Sequence, residues 1–165
     1  VPRYHAVTVR ALREQGRLLQ KIASHAKTDA TAKTQLQERA RQAFLASITA
    51  CEAMQQHFPL GHEHLTELLE TRLAAARLAI ESSDKQGACD LLQRALSGVG
   101  EQPKGMVPLS RRTRLYREMS KMCRELGQDK LAKDSKRLGH RAGREAFRQG
   151  LKQGMSLLST RLWQR

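Results

Sequence analysis

The stretch SRRTRLYREMSKMCREL, residues 110–126, carries two patterns at once. At 3.6 residues per turn, Leu115, Met119, Met122, Cys123 and Leu126 share one face, while Arg114, Arg117, Lys121 and Arg124 form a second row. The spacing predicts a helix with an apolar seam and a cationic ridge, capped by Ser110 and ended by Gly127.

Downstream, a second helix is expected over residues 129–149 and a third, short and leucine-bearing, over 151–163. On the first of these, Lys133, Arg137, Arg141, Arg144 and Arg148 make another cationic row. Its opposite face is slim: Ser135, Gly139, Ala142, Gly143 and Ala146, with only Leu131, Leu138 and Phe147 of any bulk. Each glycine costs helix stability of order 1 kcal/mol relative to alanine. Either the glycines admit a closely packed neighbour, or they leave room for something that is not protein.

Upstream, helices are expected over residues 3–26, 30–57, 63–82 and 85–97. The first carries Val9, Leu12, Leu19, Ile22, Ala23 and Ala26, and the second Leu36, Ala40, Ala43, Phe44, Ser47, Ile48, Cys51, Met54 and Gln55. The third has the clearest core pattern, with Leu65, Leu68, Leu69, Leu73, Ala76 and Ile80 at spacings of three and four. Thr28 or Asp29 caps the second helix, Phe58-Pro59-Leu60-Gly61 stops it, and Ser83-Asp84 caps the fourth. Leu91, Leu92, Ala95 and Leu96 form the inner face of that fourth helix, and a glycine- and proline-rich linker follows over residues 98–108.

Composition agrees with an all-helical chain. Only 4% of the 165 residues are aromatic, and Leu, Ala, Arg, Lys, Glu and Gln dominate. The net charge of +14 is unevenly placed. Residues 1–82 hold 11 Lys and Arg against 8 Asp and Glu, residues 83–110 hold 3 against 3, and residues 111–165 hold 16 against 5. A field concentrated in the last third suits a polyanionic partner, nucleic-acid phosphate or a strongly acidic protein; the alternative is a solvated basic surface. Cys51, Cys89 and Cys123 lie far apart with no C-x-x-C pair, which disfavours a disulfide framework or zinc finger and fits core thiols in a reducing compartment. No run of about twenty apolar residues suggests a membrane span. The chain opens at Val1, which is compatible with a removed leader.

Laying residues 10–60 over 113–163 places Ala11-Leu12-Arg13-Glu14 under Leu115-Tyr116-Arg117-Glu118, and Arg41-Gln42-Ala43-Phe44 under Arg144-Glu145-Ala146-Phe147. Two short matches held in register suggest an internal duplication.

A Leu-Tyr-Arg tripeptide on one helix, an Arg-x-x-Phe on the next and a short third helix resemble the LYR-motif family of small mitochondrial proteins. The resemblance covers residues 111–163, with Leu115, Tyr116, Arg117 and Phe147 on the signature positions, and more faintly the first half, where the tyrosine is missing. It implies an all-α fold of two LYR-like three-helix units packed together: residues 1–82 with a degraded motif, a connecting helix and linker over 83–109, and a strongly basic unit over 110–165.

Members of the family bind mitochondrial acyl carrier protein, an acidic protein bearing a phosphopantetheine arm. The resemblance therefore implies a non-catalytic adaptor in the mitochondrial matrix, with no covalently bound cofactor of its own. Leu115, Tyr116, Arg117, Ala142, Gly143 and Phe147 would form a slot for the acyl-4'-phosphopantetheine. Arg114, Lys121, Arg124, Arg137, Arg141, Arg144 and Arg148 would grip carboxylates and phosphate. For Tyr116 and Phe147, a role lining or gating the slot stands beside plain core packing. The excess charge of the last third favours installation in the mitochondrial ribosome or its assembly intermediate. The alternatives are an RNA-binding mitochondrial ribosomal protein without a carrier, and a respiratory-complex subunit or assembly factor.

His62-Glu63-His64 invites a metal reading, but helical residues two apart point about 200° from each other. No glycine-rich phosphate loop, nucleophile elbow or H-E-x-x-H is present, so enzymatic activity is not expected.

Overall fold

A computed structural model describes the backbone of residues 2–25, 30–57, 62–100 and 109–162, and the side chains of 7–25, 30–57, 65–98 and 111–151. The chain is all-helical over the described residues: α1 Pro2–His25, α2 Ala30–His57, α3 His62–Glu81, α4 Lys85–Gly100, α5 Leu109–Glu125 and α6 Asp129–Leu162. The caps at Thr28 or Asp29, the stop at residues 58–61, Ala26, most of the linker, and the side chains of His62 and His64 lie outside the described residues.

The helices pack as two antiparallel hairpins, α1 with α2 and α5 with α6, joined through α3 and α4. Helix α3 reaches both cores. Leu68, Ala75 and Leu78 pack with Val9 of α1 and with Ala40, Phe44, Ile48, Cys51 and Met54 of α2. Leu69, Leu73 and Ala76 pack instead with α4 and with Leu115, Tyr116, Met119, Met122 and Cys123 of α5. An expected division at residue 82 thus places on α3, in the first unit, three side chains that complete the core of the second.

Two turns share one construction. After α3, Ser83 takes a positive φ of 63° and Asp84 N–H donates to Ala79 O; after α5, Gly127 takes 71° and Gln128 N–H donates to Cys123 O. Both are left-handed helix ends that satisfy otherwise orphaned carbonyls. Asp84 Oδ1 then accepts from Gly87 N–H at 2.9 Å and starts α4, as expected of that residue.

Several expectations are corrected. The helices expected over 129–149 and 151–163 are one continuous helix. Gly150 weakens a helix but cannot end one by itself, and Gln149-Gly150-Leu151 offers neither a proline nor a capping side chain. The second unit is therefore a two-helix hairpin, without the third helix that covers α1 and α2. Ile22, expected in the α1 stripe, is exposed, as are Val7 and Leu18. Helix α3 is buried on more than its leucine face, since Thr66, Glu67, Glu70 and Thr71 are buried too.

Two buried acids of α3 anchor an ionic cluster, and one of them, Glu70, joins the halves. Arg13, itself buried, donates from Nη1 to both Glu67 Oε2 and Glu70 Oε2, the latter at 3.0 Å. Arg10 Nη2 reaches Glu67 Oε1 at 3.1 Å, while Arg111 Nη2 and Arg114 Nη2 reach Glu70 Oε1 at 2.8 and 3.0 Å. Glu67 thereby ties α3 to α1, and Glu70 ties α1 and α5 together.

The three cysteines are unpaired; Cys51 and Cys123 are buried and Cys89 is half-buried. Burial pushes the Cys51 thiol up to about 12, with Glu67 adding to the effect, and burial pushes Cys123 up to about 11. At pH 8, intact mass spectrometry of the folded protein treated with iodoacetamide should show one adduct, on the half-buried Cys89, and three after denaturation. Because both thiols titrate higher in the fold than the ordinary value near 9, their contribution to stability is complete below pH 9. It is lost as pH rises towards 11–12.

Candidate partner-binding cleft

An open cleft of about 740 Å³ runs along α5 and α6. Thr113, Arg117, Ser120 and Arg124 line it from α5, at steps of four, three and four residues. Lys136, His140, Arg144 and Arg148 line it from α6, each one turn after the last, with Gly139, Gly143 and Phe147 between them. The lining holds five permanent cations and no carboxylate. Arg117, Lys136, Arg144 and Arg148 make no ion pair with a described residue. A concave surface of one sign concentrates its field on the space between.

The base of the cleft explains the two glycines. A methyl on Gly139 would stand 3.2 Å from Tyr116 Cβ, so this glycine permits close approach of α5 and α6. A methyl on Gly143 would meet only the Thr113 side chain, at 3.8 Å. Close packing and spare room are therefore both present, at successive turns. Near the turn, Ser120 Oγ donates to Ala132 O at 3.0 Å and fixes the hairpin.

Phe147 stands at the rim, 68% exposed. Phe44, the residue laid under it when the two halves of the sequence are aligned, is fully buried. A Cβ on Gly16 would lie 2.6 Å from the Phe44 ring, and α3 closes over that hairpin. No described helix does the same for Phe147, because α6 runs straight on.

Of the expected slot residues, Arg117, Gly143 and Phe147 meet in the cleft. Leu115, Tyr116 and Ala142 do not; they are buried in the core beneath it. A slot between tightly packed helices is thus replaced by a groove on their outer side. Tyr116 is 5% exposed and gates nothing in this conformation; its burial raises the phenol, opposed by the nearby Arg112 guanidinium. Of the expected gripping residues, Arg124, Arg144 and Arg148 line the cleft. Arg114 is turned to Glu70, and Lys121 lies outside, 3.9 Å from Glu125. Arg137 and Arg141 are exposed and do not line the cleft.

Lys136 and His140 were not anticipated. Their signal was in plain view, since residues 136, 140, 144 and 148 repeat at four-residue intervals. Among the described residues no His, Cys, Asp and Glu cluster could hold a metal, and no helix is long and apolar enough to cross a membrane.

No family model, curated protein or solved structure matches this chain.

Proposed function

We propose that this chain is a non-catalytic adaptor of the LYR type, which receives acyl carrier protein on the α5–α6 hairpin inside a large mitochondrial assembly, foremost the ribosome of the matrix or its precursor. The observation that carries the proposal is an exposed phenylalanine among five cations, with no acid in the lining of the cleft. An acidic carrier presents carboxylates and one phosphodiester, both suited to guanidinium forks. Arg117, Arg124, Arg144 and Arg148 supply those forks, while Phe147 offers an apolar seat for the acyl end of the arm. The volume falls within the range of about 300–1,000 Å³ usual for ligand sites. The expected passage past Leu115, Tyr116 and Ala142 plays no part in this version of the site.

Intact mass spectrometry of the gently purified protein should reveal a small acidic companion bearing a pantetheine-linked fatty acid. Phe147→Glu or Arg117→Ala should weaken the complex at least tenfold, as expected when a central anchor is lost. Retention of the companion by both variants, or co-purification of RNA alone, would refute the proposal.

A further inference from the structure

A second cationic surface lies on α6, beside the cleft. Lys130, Lys133, Arg137 and Arg141 are all exposed and recur every three or four residues. Helical geometry places them within roughly 80° of one another, on the side opposite the buried Ala132, Ser135 and Ala142. They span about 17 Å of helix, and the same stripe runs on into Arg144 and Arg148, which line the cleft.

None of these four makes an ion pair with a described residue, although acids stand within reach along the helix. Asp129 is one turn before Lys133 and Glu145 one turn after Arg141. Like charges at such spacing weaken a helix rather than support it, so the array is unexplained by the fold.

The two surfaces differ in chemistry. The cleft has an aromatic anchor, as protein interfaces do at their centres. The ridge has none: no exposed apolar side chain lies among its four cations, and two of the four are lysines, which protein interfaces avoid. Evenly spaced cations on a straight rod suit a chain of evenly spaced phosphates.

We propose that the outer ridge of α6, formed by Lys130, Lys133, Arg137 and Arg141, binds a nucleic-acid strand through its phosphodiester backbone, independently of sequence and without the cleft's Phe147. The four side chains are all donors suited to phosphate oxygens, no aromatic ring is among them, and the one acid between residues 130 and 141 is the half-buried Asp134.

The test is fluorescence anisotropy of the full chain with a labelled, unstructured 20-nucleotide RNA and a DNA of the same sequence, titrated between 50 and 200 mM salt. Neutralising the ridge (K130Q, K133Q, R137Q and R141Q together) should weaken binding at least tenfold. It should also reduce the slope of log K against log salt by about three, at roughly 0.7 for each phosphate no longer neutralised. A control variant with the same loss of charge elsewhere (K21Q, K33Q, R39Q and R77Q, all exposed on α1, α2 and α3) should lose less than twofold. RNA and DNA should bind within about threefold of each other. All eight positions are exposed, so circular dichroism should show both variants folded. Equal losses in the two variants would reduce the effect to net charge and overturn the proposal. So would a ridge variant that binds as tightly as the parent, or a ridge that takes polyglutamate in preference to both nucleic acids. Phe147→Glu should leave nucleic-acid binding intact, which separates this result from the carrier experiment.

Discussion

Replacing Glu70 with alanine is expected to lower stability by about 3–5 kcal/mol, the usual consequence of stripping one partner from a buried ion cluster. Glu70 accepts from Arg13, Arg111 and Arg114, and Arg13 is itself only 6% exposed. Without the carboxylate, the Arg13 charge stays buried with Glu67 as its remaining buried partner, and the tie from α3 to α5 is gone. For a chain of this length, that loss corresponds to a fall in melting temperature of roughly 6–20 °C. Arg10→Ala serves as contrast, because Arg10 is largely solvent-exposed and its pairing with Glu67 should contribute less than about 1 kcal/mol. Thermal melting followed by circular dichroism separates the cases. A Glu70→Ala protein melting within 3 °C of the parent would show that the cluster carries no such weight.

The repeat-related phenylalanines should respond in opposite ways. Phe44→Ala empties a fully buried site between α1, α2 and α3 and should cost about 3–5 kcal/mol. Little can refill the space, because Gly16 and the ring already stand in contact and glycine has no side chain to move in. Phe147→Ala removes a ring that touches mostly solvent, so stability should change by no more than about 0.5 kcal/mol. Its effect should appear in carrier binding instead. Urea titration of both variants decides the matter. A large destabilisation at Phe147 would mean that its ring is packed after all, and the uncovered hairpin would lose its basis as a docking surface.

Much of the fold was legible in the chain itself, and the residues show why. The α2 face from Ala40 to Met54 follows strict helical spacing and every member expected there is buried, while Leu36 and Gln55 at its ends are half-buried. Pattern works where one stripe faces one core. It fails at α3, which serves two cores and holds Glu67 and Glu70 inside: buried acids look like surface residues until their arginine partners arrive from distant segments. It fails at Gly150 for a different reason, since a lone glycine marks a weak point in a helix and says nothing of whether another capping signal exists. At the candidate site, the type of residue was legible and the sorting was not. Arg114, Arg117, Lys121 and Arg124 read as one row, yet the fold assigns them to an acid, a cleft and solvent. Tyr116 drew attention as part of a tripeptide, whereas its position beside Gly139 makes it mainly a wedge between helices.

Because α3 furnishes wall for both interiors, the basic hairpin at the carboxyl end has no complete foundation until the amino-terminal helices have assembled. Any molecule that recognises α5 and α6 in their native arrangement is therefore inspecting the finished whole rather than a fragment.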